Sequence, residues 1–307
     1  MTRSSKKSVN VDDPKLLFEK AIKLLERDSI SPKLFRKALK LIRHSADLGY
    51  AEAQSNMGYV YFHGYGVIQD LQEALRWYRL AADQGFAPAQ TNLGFMYAAG
   101  HGVGQDYVEA VIFFRRAVDQ GFAESQNALG FMYQYGIGVA QDYDEALKLY
   151  RLAVDQGHGQ GQNNLGLMYC EGYGVPKDHQ EAIRLFRLAA GQGYDTAQNN
   201  LGFMYQHGIG VAQDYDEALK LFGLAAGQGY DVAADNLGFM YQHGLGVAQD
   251  DREADGWFEF AGHQRRYAPV NNHLGLKRLA ELFNTLKTKL NDVDMQRCKG
   301  IKLPLTP

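Results

Sequence analysis

Six times along the chain an aspartate is followed three residues later by a glutamate: Asp70 with Glu73, Asp106 with Glu109, Asp142 with Glu145, Asp178 with Glu181, Asp214 with Glu217, and Asp250 with Glu253. Paired carboxylates can work as acid and base, but a catalytic pair would be needed once, not six times. The D-x-x-E spacing is that of a capping box, in which each acidic side chain satisfies an orphaned N–H at a helix start. His63, His207 and His243 share one phase of a 36-residue period, and Glu171 joins them. Equivalent positions on stacked helices lie roughly 10 Å apart, whereas the ligands of one zinc each lie about 2 Å from it. Shared coordination is not expected, and neither metal nor cofactor is assigned.

Nucleophiles are equally sparse. No serine follows Ser125, and the S-x-x-K string of Ser4 and Lys7 sits in a polar leader without a partner motif. Cys170 and Cys298 form neither a C-x-x-C pair nor a disulfide framework. The recurring G-x-G loops lack the third glycine and preceding strand of a dinucleotide site and are expected to be turns. No catalytic residue is assigned, and the chain is expected not to be an enzyme.

What must position these residues is a tandem array. Leu201–Leu221 repeats Leu129–Leu149, with His207 in place of Tyr135, at a displacement of two 36-residue periods. Repeats of this length mark solenoids. Six units begin at Ala51, Ala87, Ala123, Gly159, Asp195 and Asp231, each predicting two helices. In the second unit Leu93, Met96 and Tyr97 share a buried face of a helix over Ala87–Ala99. Every first helix holds a glycine, at Gly58, Gly94, Gly130, Gly166, Gly202 and Gly238, each costing about 1 kcal/mol relative to alanine. That repeated cost implies close approach of the second helix. Its small residues recur at Ala74, Ala110, Ala146, Ala182, Ala218 and Ala254, beside bulky side chains such as Trp77, Tyr78, Phe113, Phe114, Phe186 and Trp257.

The expected organisation is a disordered basic leader over 1–12 and a degenerate helix pair over 13–50, opened by Asp13-Pro14 and Ser31-Pro32. Six repeats follow over 51–266, then an amphipathic capping helix over 267–296 and a flexible tail over 297–307. Apolar residues at 46% and charged residues at 22% fit a folded chain. A net charge of −3, without a basic stripe, argues against nucleic acid. No apolar run is long enough for a membrane span, and the N-terminus leads into no signal core. A cytoplasmic location is expected, with leaderless delivery to a host cell left open.

The set L-G-x-M-Y, G-x-G-V, capping aspartate, E-A and A-A-x-x-G resembles the Sel-one-like repeat (SLR), a relative of the tetratricopeptide repeat. The third copy shows it as Leu129, Gly130, Met132, Tyr133, Gly136, Gly138, Val139, Asp142, Glu145, Ala146, Ala153 and Gly157. The resemblance implies an all-α, right-handed α/α superhelical solenoid of antiparallel helix pairs, serving as a scaffold or adaptor in protein complexes. Some cysteine-rich members bind penicillin-like compounds, but those carry a cysteine pair in each repeat, which this chain lacks.

The face expected to bind is the one the first helices turn inward. Positions two, five, nine, twelve and thirteen of a repeat share one side of the helix. In the middle repeats that stripe includes Asn127, Phe131, Gln134, Asn163, Leu167, Asn199, Phe203, Gln206 and His207. Aromatics flanked by amides suit a peptide, since Asn and Gln both donate to and accept from an extended backbone. Packing of Phe131 and Phe203 between neighbouring first helices is the competing explanation. The expected function is a non-enzymatic adaptor whose concave face binds a protein or peptide. The alternatives are a penicillin-recognising or other hydrolase, and a structural scaffold that self-associates through its C-terminal helix.

Overall fold

The structure, a computed structural model, describes residues 13–26 and 31–267, with side chains to 262. The expected leader and tail lie outside the described residues, as does the capping helix apart from Tyr267. Fourteen helices and no strand occur among the described residues. They are α1 (Pro14–Leu25), α2 (Pro32–Asp47), α3 (Ala51–His63), α4 (Leu71–Asp83), α5 (Ala87–Ala99), α6 (Tyr107–Val118) and α7 (Ala123–Tyr135). Then follow α8 (Tyr143–Asp155), α9 (Gly159–Glu171), α10 (His179–Gly191), α11 (Asp195–His207), α12 (Tyr215–Gly227), α13 (Asp231–His243) and α14 (Asp251–Tyr267). The fold is an all-α solenoid of tandem helix pairs. It comprises two compact units, one ending at Gln120 and holding α1 to α6, the other starting at Gly121 and holding α7 to α14.

The starts of α1, α2 and the second helices follow from side-chain caps, whereas α3, α5, α7, α11 and α13 begin without one. Asp13 accepts from the N–H of Lys15 and Leu16, and Ser31 from that of Leu34. Asp142, Asp178 and Asp214 each accept from the N–H three residues on, all at 3.0 Å. Half of the expected capping box is not made. The aspartate N–H groups donate instead to tyrosine carbonyls of the preceding helix, as from Asp142 to Tyr133 and from Asp214 to Tyr205, both at 3.0 Å. The glutamates therefore have no orphan N–H to satisfy and reach along their own helix, Glu145 to Lys148 and Glu217 to Lys220. What resembled a reciprocal cap is a cap, joined in four of the six second helices by an i,i+3 ion pair.

The mid-helix glycines answer to one ring each. A Cβ on Gly58 would lie 2.7 Å from Tyr78, and one on Gly94 2.6 Å from Phe114. The distances to Tyr150 from Gly130, Phe186 from Gly166, Phe222 from Gly202 and Phe258 from Gly238 are 3.0, 2.7, 2.9 and 2.6 Å. In every pair the ring follows the buried alanine of the second helix by four residues, so small meets large across the pair as expected. Tyr150, Phe186 and Phe222 are wholly buried. The two or three kcal/mol gained by burying a large apolar ring exceeds the roughly 1 kcal/mol glycine penalty.

The G-x-G turn joins one repeat to the previous one. Gly208 (φ 64°) ends α11 in the left-handed conformation that glycine adopts without strain. Gly210 has a second role: a Cβ there would lie 2.6 Å from the Cβ of His179, at the start of α10. Gln180 donates its side-chain amide to the Gly210 carbonyl at 2.6 Å, fixing that approach.

Candidate functional site

In the second unit the first helices α7, α9, α11 and α13 lie side by side, stitched by asparagines. Asn164 donates to the Oδ1 of Asn127, Asn200 to that of Asn163, and Asn236 to that of Asn199, each at 2.9 Å. Donor and acceptor stand 37 residues apart, one repeat plus one. The acceptor is always the fifth residue of a repeat and the donor the sixth of the next. A buried amide without a partner costs about 1–3 kcal/mol, so the ladder both stabilises the stack and fixes its register.

A second ladder runs along the other edge of the same helices. Gln156 donates to Gln126, Gln192 to Gln162 and Gln228 to Gln198, at 2.8, 2.8 and 2.9 Å. Each donor is the C-cap residue of a second helix, so the ladder ties the end of a hairpin to its beginning.

The nine expected binding residues divide under this geometry. Asn127, Asn163 and Asn199 are buried acceptors of the asparagine ladder, and Asn127 is 0% exposed. Gln134 is buried, accepting from the Tyr150 hydroxyl at 2.8 Å. That tyrosine has its pKa pushed well above the usual value, by burial first and Tyr135 second. Gln206 is buried, with its backbone carbonyl accepting from Gln213 at 2.7 Å. Leu167 is half-buried against the core around Ala182, Ile183 and Phe186. Phe131 is 8% exposed, with Tyr135 against it at 4.5 Å between ring centroids. Phe203 and His207 remain at the surface, Phe203 at 44% exposure with the imidazole 4.3 Å from it.

The expected stripe stopped one repeat short. Phe239 and His243 occupy the ninth and thirteenth positions of the last repeat, where Phe239 is 43% exposed and the rings stack at 4.1 Å. His243 Nδ1 is 2.9 Å from the Phe239 carbonyl, which holds the imidazole over the ring. The signal was present in the sequence, since the same two positions recur at each period. The result is a pair of phenylalanine–histidine plates on neighbouring helices, above buried amides already engaged with one another.

Other side chains with chemical potential have structural partners. His158, the N-cap of α9, accepts from the Gly161 N–H at Nδ1, 3.1 Å, so its Nε2 carries the hydrogen donated to Glu124 at 2.8 Å. Cys170 is half-buried, and burial first and Glu171 second push its thiol pKa up. An activated nucleophile needs the opposite shift. No group of three or more His, Cys, Asp or Glu suited to a metal occurs among the described residues. None of the described helices is long and apolar enough to cross a membrane.

Comparison with known proteins places this geometry. The family pattern described as Sel1 repeat matches residues 51–86, 87–122, 123–158, 159–194, 195–230 and 231–264. No curated protein sequence matches. Among solved structures, a Sel1 repeat protein from Oxalobacter formigenes is 32% identical with a TM-score of 0.73, over 80% of this chain and 96% of that one. A protective antigen with an SLR fold, present in uropathogenic Escherichia coli strains, is 35% identical with a TM-score of 0.67. That match covers 82% of this chain and spans about half, 54%, of the antigen. Six phased matches, the glycine–ring pairs and the capped hairpins lead to one conclusion: the chain belongs to the Sel1 repeat family.

Proposed function

We propose that this chain is a non-enzymatic adaptor that holds a protein segment along the first-helix face of its second unit. The Sel1 repeat is a scaffold fold commonly associated with protein–protein interaction. The observation that supports this face is the adjacent exposure of Phe203 and Phe239 in a layer whose other ninth-position residues are wholly or partly buried. Isolated surface apolar residues are ordinary, but two half-exposed aromatics one repeat apart offer the large, rigid contacts that anchor interfaces. The buried asparagines hold the helices that carry them and do not contact the ligand.

The test is affinity capture with the full chain and with Phe203→Ala/Phe239→Ala. Loss of a defined partner, with the helical spectrum and unfolding temperature unchanged, supports the proposal. Unchanged capture by the double variant, coupled with loss from Leu188→Ala/Leu224→Ala on the exposed side of the second helices, assigns binding to the opposite face and overturns it.

A further inference from the structure

We infer that the first unit contains a buried binding site for a single water molecule between α3 and α5, bridging Ser55 and Asn92. The water completes there the rung that two asparagines make directly in the second unit, and the inference does not depend on the adaptor reading.

The three asparagine rungs join the fifth residue of one repeat to the sixth of the next, 37 residues on, at 2.9 Å each. Ser55 and Asn92 hold those two positions at the step from α3 to α5. They are 0% and 1% exposed, and Ser55 Oγ, Asn92 Nδ2 and Asn92 Oδ1 have no hydrogen-bond partner among the described residues. Buried polar atoms keep a partner because desolvation is otherwise not offset. Bulk solvent does not reach these three.

Other ladder residues of the first unit that make no rung turn back to their own helix. Thr91, a fifth residue whose rung would end at Ala128, donates its hydroxyl to the Ala87 carbonyl at 2.9 Å. Asn56, a sixth residue, donates to the Glu52 carbonyl at 2.9 Å. Ser55 and Asn92 make no such bond to Ala51 or Pro88, so their polar ends are left to the interface between the two helices. The second ladder is intact at this step. Gln84 donates to Gln54 at 2.7 Å, and Gln90 of α5 donates to the Ala82 carbonyl of α4 at 3.3 Å. The register between these repeats therefore matches that of the second unit, where the equivalent Gln198 reaches the Ala190 carbonyl at 3.4 Å.

What differs is the length of one side chain. Serine lacks the terminal amide group of asparagine, and the room that group fills is on the order of what one water takes. A water there accepts from Asn92 Nδ2 and donates to Ser55 Oγ, standing in for the asparagine oxygen of the other rungs. Two polar partners in an enclosed polar site are enough to hold it.

A rotating-frame Overhauser spectrum of the full chain, isotope-labelled at asparagine nitrogen, tests this. The Asn92 side-chain amide, assigned by its disappearance in Asn92→Asp, is expected to show a cross-peak to water with the sign of a dipolar contact and not of proton exchange. Ser55→Asn, which puts an amide oxygen in the water's place, is expected to abolish that cross-peak. If Ser55→Asn does not fold, Ser55→Val takes its place, because its added methyl occupies the same room and offers no hydrogen bond. A parent chain without the cross-peak overturns the inference, as does a cross-peak that persists in the folded variant, since the water would then lie elsewhere.

Discussion

Asn200, half-buried on α11, donates its side-chain amide at 2.9 Å to Asn163, which is buried on α9. Removing the acceptor by Asn163→Leu would strand the Asn200 donor. The expected loss is about 1–3 kcal/mol of unfolding free energy, read as a lower denaturant midpoint at unchanged m-value. An Asn163→Leu chain as stable as the parent would mean that the ladder contributes nothing net.

The first unit tests the same device in reverse. Ser55 and Asn92 stand 37 residues apart in the ladder positions, both buried, and neither side chain has a hydrogen-bond partner among the described residues. Serine is too short to repeat the Asn163–Asn200 bond. Ser55→Asn is expected to supply the acceptor and raise stability by roughly 1 kcal/mol. A fall in melting temperature would show that packing around residue 55 has no room for the longer amide.

Glycines in the second unit should respond oppositely according to what faces them. Gly202→Ala places a Cβ 2.9 Å from the Phe222 ring and is expected to destabilise by about 1–3 kcal/mol despite alanine's better helix propensity. Gly223 has nothing within 4 Å of its would-be Cβ and stands where Arg151 and Arg187 stand in earlier repeats. Gly223→Arg is expected to stabilise by about 1 kcal/mol through propensity and a new bond to the Tyr241 hydroxyl. Thermal unfolding of the two variants should move in opposite directions.

These positions also show what was legible in the sequence. The glycine opposite an aromatic and the aspartate before each second helix recur at one period, and each has a single economical physical meaning. The nine-residue binding stripe was harder to place. Helical spacing says that Asn127, Phe131 and Gln134 share a face, but not whether a neighbouring helix covers it. Burial of the asparagines depends on a donor in the next repeat, at 37 residues and not 36, an offset that a search for identical positions passes over. The glutamate of each capping box misled for a related reason: the N–H it would have satisfied is taken by a tyrosine carbonyl from the preceding helix.

Glu124 and His158 meet at one junction, and the first, second, fourth and fifth repeats place Phe86, Phe122, Tyr194 and Tyr230 at the position of His158. His158→Phe would restore the commoner residue while removing both the Gly161 cap and the donor to Glu124. A loss of about 1–3 kcal/mol is expected. A double-mutant cycle with Glu124→Gln should show coupling between the two sites. Additive effects would mean that the 2.8 Å contact does not stabilise the junction.

Phe131 and Phe203 occupy the same repeat position with different surroundings, which permits a comparison at constant chemistry. Phe131 is 8% exposed and packs on Tyr135, whereas Phe203 is 44% exposed and packs on His207. Truncating a buried phenylalanine costs about 3–5 kcal/mol, and truncation at a half-exposed site forfeits much less apolar burial. Phe131→Ala should therefore lower the unfolding free energy by about 3 kcal/mol and Phe203→Ala by about 1 kcal/mol or less. That difference makes Phe203, and not Phe131, the residue whose removal can report on binding without reporting on folding. Equal losses in urea titrations of the two variants would place both rings in the core and leave the first-helix face without its aromatic anchor.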